Sequence, residues 1–364
     1  MKKRIALAVL ATIAGSVSTA AMADDNGDNG VTLYGYLRAG VVNLNGNGNS
    51  AWAFNGAKGN SASTNVAGRG ELDFKGSEGL DNGLSTVWEM STRFSPTGSA
   101  YDDQDGNYTG LANYDTFVGL KSNSLGQLVM GRRYTNFDDG KYDYTFAVGP
   151  DQIQGWFGNT EDKNMVRYDL PSFAGVHASV QYANGENAGM VQGTNAAQQN
   201  TTFNVNYDNG ILGASASYAM ANDVQTGTFT SMNWANNGNA IGTLAQSHVT
   251  AMVKPTDALQ FAVEYQRNTL NGNAVNSSAL YAYYTVGAVQ FGMQGGIQTY
   301  SGNTPVNLTR GKFYDAFMHY NLSKATVAYV EVMDSKGGAL SYSIDSSNPS
   351  SNRVMTDIGL SKSF

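Results

Sequence analysis

Residues that support covalent or metal chemistry are scarce in this sequence of 364 residues. It contains no cysteine, and its 3 histidines, His177, His248 and His319, fall on separate predicted strands. Hydrolysis needs a nucleophile beside a base, or a metal held by several ligands, and the sequence has neither an H-E-x-x-H nor a G-x-S-x-G motif. We therefore predict that the protein is not an enzyme and that it uses neither a metal nor another cofactor.

The more promising charged residues gather in one long connection, residues 135–162. Its acidic candidates are Asp138, Asp139, Asp143 and Asp151. The same stretch contains Phe146, Trp156 and Phe157, whose rings could pack the connection against a wall. Because a long ordered loop is usually functional, we treat these carboxylates as candidate functional residues.

Strands must position these residues, because apolar and polar side chains alternate along most of the sequence. Within residues 289–298, apolar side chains at 289, 291, 293 and 297 alternate with glutamines at 290, 294 and 298. Successive side chains of a strand point to opposite faces, so the pattern indicates one apolar and one polar environment. A soluble sandwich would turn the apolar face inward, whereas a membrane barrel turns it toward lipid and lines its lumen with polar residues.

The connections between the alternating segments favour the barrel. Sixteen segments can be marked, and seven short turns alternate strictly with eight long loops. Outer-membrane barrels have short periplasmic turns, long extracellular loops and an even strand number, and their first and last strands pair to remove the open edge. We therefore predict an all-β fold, a 16-stranded antiparallel transmembrane β-barrel, whose lumen is wide enough for water.

The first residues have the features of an export signal. Lys2, Lys3 and Arg4 precede an apolar run over 5–14 and an Ala-Met-Ala pattern at 21–23. We therefore predict a signal peptide over 1–23 and a barrel domain over 24–364. The remaining chain would have 22 − 3 = 19 basic and 29 acidic residues, a net charge of −10. An acidic chain without a basic stripe is a poor binder of nucleic acid, which we exclude as a partner.

Several stretches carry a resemblance to a known family. They are "VTLYGYLRAGV" at 31–41, "GRGELDFKGSEGLDNGLSTVWE" at 68–89, "YDTFVGLKSNSLGQLVMGRRYT" at 114–135, "VRYDLPSFAGVHASVQYA" at 166–183 and the ending "IGLSKSF". In these stretches the sequence resembles the trimeric general porins of Gram-negative outer membranes, especially the proteobacterial and neisserial type. The resemblance implies an outer-membrane location, a homotrimer and a third long loop folded into the lumen.

In porins of this type, loop carboxylates oppose arginines on the barrel wall and create a transverse field at the narrowest point. The resemblance gives this loop role to the four aspartates named above. The candidate wall residues are Arg38, Arg69, Arg93, Arg132, Arg133 and Arg167. Arg38 and Arg69 are the leading candidates, and only one of the adjacent Arg132 and Arg133 can face the lumen. Some of these arginines could instead merely balance nearby carboxylates such as Glu71, Asp73 and Glu89.

Two further features suggest partners of such a barrel. Phe364 ends an amphipathic last strand and resembles the signal that the outer-membrane assembly machinery reads. The acidic stretch "DDQDGN" at 102–107 lacks the glutamate of a calcium loop, so it suggests either solvated charge or weak cation bridging to lipopolysaccharide. Outer-membrane lipid surrounds a barrel of this kind.

We therefore expect a passive diffusion channel for ions and small hydrophilic solutes. The net charge of 19 − 29 = −10 and the loop aspartates predict a mild preference for cations. The alternative is an outer-membrane barrel that acts mainly as a structural or adhesive surface protein through its loops. Ion conduction would separate the two hypotheses.

Overall fold

The alternating segments form a closed antiparallel β-barrel in a computed structural model of the chain. The structure describes residues 30–47, 63–97, 110–139, 161–186, 198–225, 241–270, 272–302, 311–336 and 352–364. Its strands are β1 (Gly30–Asn47), β2 (Ser63–Gly79), β3 (Leu84–Phe94), β4 (Thr116–Ser122), β5 (Gly126–Tyr134), β6 (Glu161–Asp169), β7 (Val176–Glu186), β8 (Gln198–Asp208), β9 (Leu212–Gln225), β10 (Ile241–Thr256), β11 (Leu259–Leu270), β12 (Asn273–Val286), β13 (Val289–Ser301), β14 (Gly311–Ser323), β15 (Thr326–Lys336) and β16 (Asn352–Ser363). The predicted 16-stranded fold is confirmed. In the described part of the chain, no helix is long and apolar enough to cross a membrane.

Each strand pairs with its sequence neighbours, and β16 pairs with β1 to close the ring. Tyr36 is the register partner of Ser363 across this seam. Beyond the last strand, Phe364 and Gly35 exchange two backbone hydrogen bonds, at 3.1 and 3.0 Å. Closure leaves no unpaired strand edge, which is how a barrel satisfies its backbone polar groups within lipid.

Seven short turns lie at one end of the barrel, because each joins an even-numbered strand to the next odd-numbered one, from β2 and β3 to β14 and β15. Glycine supplies the left-handed backbone that such short turns require. Gly210 has φ +84° between β8 and β9, and Gly287 has φ +57° between β12 and β13. Long connections lie at the other end, as the sequence predicted, with one exception: β11 ends at Leu270 and β12 begins at Asn273, so the long loop predicted over 269–276 is wrong and these residues mostly extend the two paired strands. Most residues of the other long connections are outside the described ranges.

Strand β14 shows how the barrel sorts its side chains. Phe313, Asp315 and Phe317 are nearly inaccessible, whereas Tyr314 and Met318 on the alternate positions are exposed. The exposed face of the barrel is therefore the apolar one, which suits contact with acyl chains. The opposite face points inward, and there the side chains that bear on function converge.

Candidate functional site on the inner wall

The glutamines of β13 lie on the inner wall. Gln294 and Gln298 are 6% and 0% exposed, whereas Met293 on the outer face is 68% exposed. Gln294 donates to Asp315 Oδ2 at 3.0 Å, and Gln298 donates to Ser277 Oγ at 3.1 Å. Hydrogen bonds between neighbouring strands therefore fix the amides of the wall.

Three predicted wall arginines lie together on β1, β2 and β3. Arg38 and Arg69 are direct register partners, so their side chains share the inner face. Arg93 forms an ion pair with Glu71, with 2.7 Å between Nε and Oε2. Its guanidinium carbon also lies 3.2 Å from the centroid of the Tyr114 ring. Arg93 therefore balances the charge of Glu71, which was the alternative role considered for these arginines. It also belongs to a group of three inward-facing arginines.

Two further carboxylates occupy the same part of the wall. Asp73 is 1% exposed and is the register partner of Tyr34, whose hydroxyl donates to Glu89 Oε1 at 2.6 Å. The sequence named these acids only as possible arginine partners. Asp73 is two residues after Glu71 on β2, and Glu89 is four residues before Arg93 on β3. Because side chains alternate along a strand, both acids share the inner face with these residues.

The start of the third long loop lies inside the barrel. A short 3-10 turn at Asn136–Asp138 follows β5, and the side chain of Thr135 caps it by accepting from the Phe137 backbone N–H. Asn136 Nδ2 donates to Ser179 Oγ on the inner face of β7 at 2.8 Å. Phe137, 2% exposed, clusters with Ala219 on β9. The chain therefore turns inward immediately after β5.

Backbone contacts anchor the next residue of this loop. The carbonyl oxygen of Asp139 accepts from Asn204 Nδ2 at 3.1 Å and from Ser215 Oγ at 2.9 Å. Asn204 and Ser215 belong to β8 and β9 and point inward. Residues Thr135–Asp139, which we call the loop anchor, are thus attached to three successive strands of the wall.

The side chain of Asp139 joins a charged cluster with two of the predicted arginines. Arg167 Nη2 lies 2.8 Å from Asp139 Oδ2 and 2.7 Å from Asp169 Oδ1. Arg133 Nη1 lies 3.6 Å from Asp169 Oδ2. Burial raises the pKa of Asp139 above its usual value, although the nearby Arg167 cation acts in the opposite direction.

The structure separates the adjacent Arg132 and Arg133. Arg132 is the register partner of Thr116, in step with the outward Met130 and Val118, and it donates to the Asn113 carbonyl oxygen at 2.8 Å. Arg133 points inward, where its guanidinium carbon lies 5.0 Å from the centroid of the Phe117 ring. The pairing of β5 with β4 shows which of the two arginines points inward, and the sequence alone could not show this. Arg133 is therefore the candidate wall residue of this pair.

The remaining predicted loop acids lie outside the described residues. These are Asp143, Asp151 and the side chain of Asp138. Their role at a constriction stays a prediction. Of the predicted loop carboxylates, the described part of the structure brings Asp139 into contact with a predicted arginine.

Two of the three histidines lie on the inner wall, each beside a glutamate. His248 Nε2 lies 2.9 Å from Glu264 Oε1, and His319 Nε2 lies 2.8 Å from Glu331 Oε1. The His248 ring lies 5.6 Å from that of Phe137, next to the loop anchor. Among the described residues, no group of three or more histidines and carboxylates could hold a metal ion.

An apolar cluster covers another part of the inner wall, on β10 to β14. It consists of Met252, Ala262, Ala279, Tyr281, Tyr283, Phe313 and Phe317. Gly292 is the register partner of both Tyr283 and Phe317, and a side chain there would collide with the Phe317 ring. The two rings, 5.7 Å apart, use the space that glycine leaves. An inward-facing glycine on β13, flanked by inward-facing aromatic residues on β12 and β14, is the feature of the sequence that indicates this cluster.

Comparisons with known proteins agree with this architecture. A family model described as Gram-negative porin matches residues 6–340. The major outer membrane protein P.IB of Neisseria meningitidis serogroup B is 35% identical over 225 residues, which cover 58% of this chain and 56% of that protein. P.IB of Neisseria gonorrhoeae is 31% identical over 198 residues, 52% of this chain and 50% of that protein. The chain thus spans about half the length of the curated relatives it matches.

Solved structures match over nearly the whole barrel. An anion-selective porin from Comamonas acidovorans superposes with a TM-score of 0.71 at 19% identity, covering 92% of this chain and 100% of that one. OmpF of Salmonella typhi gives a TM-score of 0.68 at 14% identity, covering 94% and 100%. At these identities, the likeness concerns the fold alone. Together with the family match, it shows that the chain belongs to the Gram-negative porin family and is a β-barrel of the cell outer membrane.

Proposed function

We propose that the protein is a passive diffusion channel for ions and small hydrophilic solutes. One observation supports this most directly: charged and amide side chains line the inner wall, and the loop anchor enters the lumen and attaches there. A barrel of sixteen strands is wide enough for an aqueous channel, and an inward loop would narrow it. Solutes would then be sorted by size and by the charges at the narrowed level.

The grouping of inward-facing arginines on one part of the wall supports a field between these arginines and the loop carboxylates. The described arginines that face inward lie on β1, β2, β3, β5 and β6, and they are Arg38, Arg69, Arg93, Arg133 and Arg167. Inward-facing carboxylates lie on β11, β14 and β15, where they are Glu264, Asp315 and Glu331, and also among the arginines on β2 and β3, where they are Glu71, Asp73 and Glu89. Charges act strongly at a constriction whose width is comparable to the Debye length, about 8 Å at physiological ionic strength.

We also propose a mild preference for cations and a trimeric assembly. The acidic balance of the chain, 29 acidic against 22 basic residues, supports the first. The second is supported by the solved trimer form of OmpT of Vibrio cholerae, which has a TM-score of 0.63 to this chain. Mass measurement of the purified protein in detergent should give three copies per particle.

Planar-bilayer recording tests the channel proposal. Purified protein should produce stepwise, ohmic conductance in KCl, and its reversal potential in a KCl gradient should have the sign of a cation preference. Insertion without conductance would refute the channel and favour a structural or adhesive surface role. Conductance carried mostly by chloride would refute only the cation preference.

A further inference from the structure

Two lysines lie side by side on the outer surface of the barrel, at the end that carries the long connections. Lys312 is the second residue of β14 and Lys336 is the last residue of β15, and the two are direct register partners. Both residues are exposed, and 56% of the Lys336 side chain is accessible. The Cβ atoms of such partners lie roughly 4.5–5.5 Å apart, so the strand pairing holds two positive charges together.

This lysine pair carries an excess of positive charge. Asp334 is two residues before Lys336 on the same face, and its Oδ2 lies 3.0 Å from the Lys336 Nζ. One carboxylate thus opposes two ammonium groups, which leaves 2 − 1 = +1. Like charges directly opposite each other destabilise paired strands, so a further anion between the two lysines would stabilise this part of the barrel.

The height of the lysine pair on the barrel places it beside lipid headgroups. Along the outer face of β14, the exposed Tyr320 lies near a short turn and Lys312 lies 320 − 312 = 8 residues away. For a tilted strand this corresponds to roughly 20 Å along the barrel axis. The apolar band of such barrels is about 25 Å tall and tolerates charged residues at its edges. The lysine pair therefore lies near the outer edge of the band.

The chemistry of this surface favours a phosphate that is attached to acyl chains. Each lysine ammonium group has three donors and no acceptor, and lysine is a common phosphate ligand. Two neighbouring ammonium groups can donate to different oxygens of one phosphate. Below the lysine pair, the outer face exposes Met318 on β14 and Val332 on β15, which would contact acyl chains. Apolar contact and charge attraction together strengthen binding, so a lipid phosphate has an advantage over a soluble anion.

We propose that Lys312 and Lys336 bind the phosphate of an outer-leaflet glycolipid of the lipid A type. Both ammonium groups contact the phosphate, and the acyl chains lie along the outer faces of β14 and β15. The contact is direct, so it differs from cation bridging through residues 102–107. It concerns the outer surface of the barrel and does not depend on the proposed channel function.

Native mass spectrometry of the purified protein in detergent, with increasing amounts of lipid A, tests the site. Lipid A should bind in the presence of EDTA, because no divalent cation is needed. Each lysine beside an anionic headgroup contributes a factor of about 5 to the affinity. Lys312→Gln and Lys336→Gln should therefore each weaken binding about 5-fold, and the double variant about 25-fold. Dephosphorylated lipid A should bind to the unaltered protein about 25-fold more weakly than lipid A.

Three further variants serve as controls. Lys336→Arg keeps the charge and should bind lipid A like the unaltered protein. Asp334→Asn removes the competing carboxylate and should strengthen binding about 2- to 5-fold, a gain that a damaged fold would not produce. Lys163→Gln removes an exposed lysine near the start of β6, at the same end of the barrel, and should leave binding unchanged.

Three results would overturn this inference. Equal binding of lipid A and its dephosphorylated form would show that the phosphate makes no contact. Equal losses in Lys163→Gln and Lys336→Gln would show a general attraction to cations at this end of the barrel. Inorganic phosphate that binds the lysine pair as tightly as lipid A does would assign the site to a soluble anion. In each case, KCl conductance of the same protein would leave the channel proposal standing.

Discussion

Replacing Arg133 with glutamine tests whether inward-facing charge controls ion selectivity, and Arg132 offers a matched control. Arg133 faces Phe117 and Asp169 inside the barrel. Arg132 is on the outer face and donates to Asn113. Each variant loses one positive charge and keeps a polar amide at adjacent positions of one strand. The face of the barrel is the main difference between them.

The expected size of the effect follows from Coulomb's law. A unit charge about 8 Å from a passing ion changes the energy of that ion by about 0.5 kcal/mol in water. Screening over one Debye length reduces this to about 0.2 kcal/mol at physiological ionic strength. Loss of Arg133 favours a cation and disfavours an anion by this amount each. The cation-to-anion permeability ratio should therefore rise by a factor of about two, since 1.4 kcal/mol corresponds to a factor of ten.

The assay is the reversal potential of single channels in a KCl gradient near 0.15 M. Arg133→Gln should shift it toward greater cation selectivity, and Arg132→Gln should leave it within error of the unaltered protein. At 1 M salt the Debye length falls to about 3 Å, so the shift should largely vanish. Equal shifts in the two variants, or a shift in Arg132→Gln alone, would refute the assignment of the two faces.

Three further predictions concern the loop anchor and the two faces of β13. Phe137→Ala should destabilise the protein by about 3–5 kcal/mol, because the buried ring leaves a cavity, whereas Phe137→Leu should cost clearly less; denaturant unfolding in detergent measures both. Because burial raises the pKa of Asp139 above 3.8, acidification should neutralise it at a higher pH than an exposed aspartate, and cation selectivity should decrease as the pH falls through that range. Asp139→Asn should lack this part of the pH dependence in reversal-potential recordings, and an unchanged profile would contradict the role of Asp139. Met293→Arg places a charge on the outer face and should destabilise the barrel by about 2–4 kcal/mol if it lies near the bilayer midplane, whereas Gln294→Arg on the inner face should mainly alter selectivity; the reverse pattern in unfolding and conductance measurements would show that the faces are exchanged.

Much of the fold was predictable because strand alternation is a local property. Alternation along the strand is enough to place Gln294 on the inner face and its neighbour Met293 on the outer face. It likewise places Arg38 inside and Leu37 outside. The alternation of short turns and long loops then fixed the strand count and the end at which each connection lies. These features need no knowledge of which residues meet across the barrel.

The site was less predictable because it depends on contacts between distant residues. Asn136 meets Ser179, which lies 43 positions away, and the Asp139 carbonyl meets Ser215, which lies 76 positions away. No local pattern encodes either contact. The apolar cluster around Tyr283 and Phe317 was not predicted for a related reason. Alternation assigns a residue to the inner face, but it does not show whether that part of the face contacts water.

The seam that closes the barrel has a consequence for biogenesis. Tyr36 and Ser363 are 363 − 36 = 327 positions apart, so joining them costs roughly 5 kcal/mol of loop-closure entropy. Until that join forms, β1 keeps a row of bare amide and carbonyl groups that could pair with strands of another molecule. We expect a polypeptide in water to need protection from such pairing before the barrel closes. The pairing of β1 with β16 removes the exposed edge and with it the risk of aggregation.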